Sequence, residues 1–151
     1  MQEEVLQQVD RERIVEMACH LADTVSITGN EENVAKYLGS EFEKLGMQVE
    51  YQYVEEGRPN VVGTLKGSGG GATLMFNAHM DHFDAPQETV VDEDRIYGRG
   101  LVNMKAAFPC YIEAVAALQK AGAQLKGDLI ISGVVGEIEK AQIGRFQGKE
   151  Y

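Results

Sequence analysis

The run Leu129-Ile130-Ile131-Ser132-Gly133-Val134-Val135 constrains this chain more than any other segment. A strand with one solvated face alternates apolar and polar residues, and this one does not. It reads as a strand covered on both faces, as in the middle of an α/β sheet. Helical and extended patterns alternate around it. Ile14, Met17, Ala18, Leu21 and Val25 recur at helical spacing. Thr28-Gly29-Asn30-Glu31 has the form of a capping box, opening a helix that carries Val34, Leu38, Phe42 and Leu45 on one face and stops at Gly46. Met47, Val49, Tyr51 and Tyr53 alternate as in a half-buried strand. Arg58-Pro59-Asn60 reads as a turn, with strands over Val61 to Leu65 and Thr73 to Ala78. Val90 to Tyr97 reads as a polar edge or hairpin, and Asn103 to Lys120 as a helix that Pro109 bends or weakens. The order predicts one α/β domain, a three-layer sandwich with a mixed sheet and no internal repeat or linker.

Composition narrows the function classes. A chain of 151 residues can bury a core, and a formal net charge of -10 argues against a nucleic-acid-binding face. Gly67-Ser68-Gly69-Gly70-Gly71 precedes an apolar strand rather than a helix, so it reads as a hairpin connection and not as a phosphate loop. A dinucleotide-binding domain is set aside for want of its glycine-rich turn. Met1 to Arg13 is polar and lacks the apolar core of a secretory leader, and no run is expected to cross a membrane. The expected compartment is the cytoplasm. Cys19 and Cys110 sit in helical apolar patterns and read as two buried free thiols.

Three segments carry chemistry, each at a strand end or a helix start, where open α/β folds place their sites. His79-Met80-Asp81 follows a strand, so the imidazole and the carboxylate point to one side. That suits a metal-ligating histidine with an acid to orient it. Gly98-Arg99-Gly100-Leu101-Val102-Asn103 allows a close backbone approach and ends on a polar residue that reads either as a plain N-cap or as part of a site. Gly136-Glu137-Ile138-Glu139 ends the apolar strand, where a carboxylate reads either as a solvated turn residue or as a general base for water.

In order and approximate separation these segments resemble the signature of the aminoacylase, acetylornithine deacetylase, succinyl-diaminopimelate desuccinylase and carboxypeptidase G family of zinc-dependent metallopeptidases and amidohydrolases. Ser26 to Glu31 resembles its "S-x-S-G-x-E" segment and Arg58-Pro59-Asn60-Val61 its "R-P-N-V". Ala78-His79-Met80-Asp81 resembles "G-H-x-D", Gly98 to Ala106 "G-R-G-x-x-D-M-K-G", and Gly136-Glu137-Ile138 "D-E-E". The resemblance implies that His79 ligates one zinc, Asp81 orients it, and Glu137 is the general base serving a metal pair, zinc or cobalt, that polarises an amide carbonyl. The implied substrate is an N-acyl amino acid or small peptide.

Two positions depart from the family. Its bridging aspartate falls on Asn103, whose neutral amide offers two dications far less than a carboxylate, and its second glutamate falls on Ile138, which cannot ligate. Glu139 could take that place only with a shifted turn, and His82 and Asp84 are further candidates to compensate. The resemblance further implies that residues 1–151 form part of the metal-binding catalytic domain. A lid domain, which makes dimers of the full-length form, and a last histidine ligand would lie outside the chain. The chain then reads as a fragment of an amide-cleaving hydrolase, or as a non-catalytic relic or binding module that keeps the fold without a working metal centre.

Overall fold

The computed structural model of the chain describes residues 2–138. Four helices, α1 (Gln2–Leu6), α2 (Arg11–Asp23), α3 (Glu32–Lys44) and α4 (Ala107–Lys120), accompany six strands. The strands are β1 (Gln48–Glu55), β2 (Arg58–Leu65), β3 (Leu74–His79), β4 (Val90–Asp92), β5 (Arg95–Tyr97) and β6 (Leu129–Val134). The main sheet runs β1-β2-β6-β3, with β6 antiparallel to β2 and parallel to β3, and β4 and β5 form a separate hairpin. The expected mixed sheet and central apolar strand are both present.

Register decides which face is buried. Val61, Gly63 and Leu65 pair with Gly133, Ile131 and Leu129, which in turn pair with Ala78, Phe76 and Leu74, so these residues share one face. The Phe42 ring of α3 presses on Gly63, and Tyr111 of α4 stacks on Phe76 with ring centroids 4.7 Å apart. Leu21, Leu38, Phe42, Phe108, Ile112 and Ile131 are fully buried in a single cluster, each worth about 1.5–3 kcal/mol of apolar burial. Among the described residues the helices line this face, and on the other Glu50, Met75 and Asn77 are exposed.

Several local expectations change. β2 begins at Arg58 rather than after a turn, and the bend falls at Gly57, φ +73°. Pro59 is tolerated there because it pairs only with Tyr53 of β1, β6 joining from Val61 onward. Tyr51 and Tyr53 face the helix side of β1 yet stay exposed, because β1 is an edge strand and α3 covers it only in part. Residues 67–71 do not close a hairpin, since β6 lies between β2 and β3. They lie instead on residues 125–128, with Ser68 N–H donating to Leu125 O and Gly69 N–H to Lys126 O, both at 2.9 Å. α4 starts at Ala107, which puts Pro109 in its first turn, where a missing N–H costs no intrahelical bond. The stretch 101–120 does have the length and hydropathy of a membrane span, contrary to expectation; here it supplies a core helix of the fold. Both cysteines are free, but Cys110 is exposed and Cys19 only half-buried, because each lies off the buried stripe of its helix.

Gly127, in the contact between 67–71 and 125–128, and Gly39, in α3, show two kinds of close approach. A Cβ on Gly127 would land on the Ala72 carbonyl, whereas one on Gly39 would meet the hydroxyl of the Tyr51 side chain, which can swing away. Gly127→Ala is expected to destabilise the fold by about 1–3 kcal/mol in urea unfolding, and Gly39→Ala to cost nothing or stabilise slightly through helix propensity. Equal midpoints for the two variants would contradict this packing.

Candidate functional site

β3 ends at His79 and β6 at Val134, and because the two strands are parallel both ends reach the same edge of the sheet. His79 is buried, and its Nδ1–H donates to the backbone carbonyl of Asp81 at 3.0 Å. Nε2 lies 3.0 Å from the side-chain amide of Asn103 and 3.9 Å from Glu137 Oε2. His79, Asn103 and Glu137 therefore converge. The Asn103 atom at that distance is Oδ1, an acceptor, so with Nδ1–H given to Asp81 O this arrangement suits the imidazolium, and a neutral ring would need the amide turned to present its NH2 end. Burial disfavours the imidazolium, but hydrogen bonds to Asp81 and Asn103 and the Asp81 charge outweigh it, leaving the His79 pKa above its ordinary value.

Asp81 has more partners than the histidine. Its side chain is fully buried, and Oδ1 lies 3.3 Å from His79 Nδ1. The Thr28 hydroxyl donates to Oδ2 at 2.6 Å, Ile138 N–H to Oδ2 at 2.9 Å and Glu137 N–H to Oδ1 at 3.2 Å. Burial alone would raise this carboxyl's pKa, but these hydrogen bonds overcome it and hold it at about 2. Gly136, φ +71°, makes the turn that brings both N–H groups onto the carboxylate. Glu137 is left with a partly exposed side chain beside His79.

Three anchors were not legible in the sequence. Thr28 and Glu31 do not form a capping box: α3 begins at Glu32 with Glu31 itself at the N-cap, and the Thr28 hydroxyl donates to Asp81. Instead Glu31 receives both Nε and Nη2 of Arg58 at 3.1 Å in a buried fork, so the first and second resemblance segments are partners. Asn60 Oδ1 accepts from Val135 N–H at 3.0 Å and fixes the strand end that carries Glu137. Lys105 is fully buried, its ammonium donating to Thr24 O at 2.9 Å and to Ser26 Oγ at 3.1 Å, while the Ser26 hydroxyl donates to Met80 O. Burial pulls the Lys105 pKa down to about 8, with the Arg99 charge acting in the same direction. The available signal was one cation in an otherwise apolar stretch.

Asn103 is not an N-cap. Residues 101–105 form one irregular wide turn ahead of α4, Asn103 has extended backbone (φ -135°, ψ 90°), the Asn103–Met104 peptide bond is cis, and the amide side chain is given to His79. His82 cannot compensate as a ligand in this arrangement. Its Nδ1–H donates to Phe83 O at 2.6 Å and its Nε2 accepts from Ser26 N–H at 3.0 Å. Asp84 stands exposed in the following loop, and Glu139 lies outside the described residues. No group of three His, Cys, Asp or Glu among the described residues is placed to hold a metal ion. One imidazole, one amide and one nearby carboxylate do not fit a metal pair.

Residues 75–142 match the family described as peptidase family M20/M25/M40. The N-formyl-4-amino-5-aminomethyl-2-methylpyrimidine deformylase of Bacillus subtilis is 30% identical over 119 residues, 72% of this chain and 28% of that protein. A solved aminopeptidase PepT from Bacillus cereus superposes with a TM-score of 0.77 at 24% identity, over 90% of this chain and 40% of that one. The YXEP protein of Bacillus subtilis, described as a dinuclear metal-binding peptidase of the M20 family, superposes with a TM-score of 0.67 at 17% identity, over 86% of this chain and 36% of that one. The chain spans about a third of the length of the curated relatives it matches.

The Asp81 carboxyl titrates at about 2 in the fold against 3.8 ordinarily. Its ionisation thus stabilises the fold above about pH 4, a contribution of roughly 2 kcal/mol that is lost as pH falls towards 2. Asp81→Asn is expected to lower stability at pH 7 by about that much or more, since the new amide N–H groups face existing donors. In urea unfolding at pH 7, 4 and 2.5, the gap to the unsubstituted protein should narrow with falling pH. A constant gap would show that the charge is not what the site uses.

Proposed function

We propose, from the match of residues 75–142 to peptidase family M20/M25/M40, that this chain is part of a metal-dependent hydrolase that cleaves an amide bond in an N-acyl amino acid or small peptide. The observation that carries this is the convergence of His79, Asn103 and Glu137 at one sheet edge, with the Glu137 carboxylate 3.9 Å from the imidazole. Glu137 acts as general base towards water and then as acid towards the leaving amine. Asp81 fixes the imidazole and the backbone of the Glu137 turn, so that base and imidazole keep one geometry. Zinc is the proposed ion, because imidazole suits it better than the harder divalent cations. The described residues do not complete its coordination. A cytoplasmic setting and a homodimeric longer form belong to the same proposal and rest on the sequence reading alone.

A specific observation favours the second reading, a non-catalytic relic. The amide at position 103 satisfies His79 directly, and the Ile138 N–H is spent on Asp81, so the site is self-consistent without an ion.

Calorimetric zinc titration separates the two. The chain is expected to bind at most one ion, weakly, and to lose it in His79→Ala. Asn103→Asp, which returns a carboxylate to the centre of the site, is expected to tighten binding at least about tenfold. Binding that ignores both substitutions would leave only the non-catalytic reading.

Turnover gives the complementary expectation. The 151-residue chain should show no hydrolysis of N-acetyl amino acids or dipeptides with added zinc or cobalt. Any longer form that does turn over should lose about 10²–10⁴-fold in Glu137→Gln. Turnover by the short chain, abolished in Glu137→Gln, would show that its own residues complete the centre.

A further inference from the structure

Beside the site just described lies a second cavity of about 280 Å³, between residues 82–87 and the segment 96–103. Its rim is apolar: Phe83 is 61% exposed, Tyr97 43% and Val102 completely. Arg99 lines it, and the buried Arg99 Nε has no hydrogen-bond partner among the described residues. Leaving such a donor unmatched away from water costs about 1–3 kcal/mol. No acidic residue among the described ones lines this cavity, although the chain is rich in them. Lys105 lies close enough for Arg99 to disfavour its charge, which makes this corner of an acidic chain locally positive.

We propose that this cavity binds the carboxylate of a small organic acid carrying an apolar side chain, with the Arg99 guanidinium as the group that reads the charge. The planar fork of an arginine matches a carboxylate with two parallel hydrogen bonds. The small volume and the apolar rim of Phe83, Tyr97 and Val102 suit a compact acid better than a heavily hydrated phosphate. The backbone is set in advance. Gly98 packs on Ala22 and Gly100 (φ +69°) on His82, so the residue between them has little freedom and ordering it on binding costs little. Asn103 lines this cavity and also the neighbouring one formed with His79 and Glu137. An acid anchored at Arg99 therefore directs its next bonds past Asn103 towards the imidazole. That last step rests on the hydrolase reading, in which the anchored end is the free carboxylate of an N-acyl amino acid; the binding itself does not.

The test is an NMR titration of chelator-treated protein, following backbone amides of residues 82–103, with N-acetyl-L-leucine and its uncharged primary amide as matched probes. The acid is expected to bind saturably and the amide at least about tenfold more weakly. Arg99→Gln should bring the acid down to the level of the amide while leaving the amide where it was, which also reports that the cavity is still folded. Val102→Glu, on a fully exposed rim residue, should weaken the acid and spare the amide. Equal affinities for acid and amide, an Arg99→Gln protein that still prefers the acid, or inorganic phosphate displacing the acid at equal concentration would each overturn the proposal. Because the readout is metal-free binding, its failure leaves the hydrolase reading standing, and absent turnover leaves this site standing.

Discussion

A carboxylate with no exposure to solvent must be matched by donors, or the fold that buries it is lost. Asp81 is matched by a hydroxyl from the loop before α3, two backbone N–H groups from the turn after β6, and the imidazole two residues away. The hydroxyl and the two N–H groups come from segments more than fifty residues distant on either side. Each finds its place by serving the same charge, so the position of Glu137 relative to His79 is set by Asp81 rather than by contact between the two. The 3.9 Å gap between them can stay open because neither holds the other.

The same device recurs around the edge. Arg58 grips Glu31, Asn60 holds Val135, and Lys105 ties the 24–26 loop through Ser26 to Met80. In each case a buried polar side chain ties together segments distant in the sequence. Buried pairs of this type add little against a well-packed apolar replacement, but removing one partner costs about 3–5 kcal/mol, because the other is left without its match. Resemblance to a catalytic signature at Arg58, Asn60 and Lys105 thus reports on scaffolding as much as on chemistry.

Features set by near neighbours were legible in the sequence. The apolar run of β6, the stop of α3 at Gly46 and the 90–97 hairpin follow from local periodicity and glycine geometry. The meeting of His79, Asn103 and Glu137 followed from their places at strand ends and ahead of a helix. What escaped depended on distant partners. Arg58-Pro59-Asn60 has the composition of a turn, and only its pairing with β1 makes it strand. The 67–71 glycines look alike whether a hairpin or a crossover follows, and the choice is made by a strand that arrives at residue 129. Thr28 has the local partner of a capping box and abandons it for a carboxylate far along the chain, which period-based reading cannot see. The exposure of Cys110 turned on which side of α4 packs, a matter of degrees around one helix.

Strand order also bears on how the molecule comes together. β6 is the last strand among the described residues and the one between β2 and β3, with Leu74 pairing to Leu129. As the polypeptide leaves the ribosome, β1, β2 and α3 can dock through short-range contacts. β3 has no neighbour until residues 129–134 emerge, and long-range closure of that kind is slow. Until then the facing edges of β2 and β3 are both open, and open strand edges recruit other chains. Among the described strands, the edge that bears His79 is therefore the last to pair, and the nascent chain is most prone to self-association just before β6 closes the sheet.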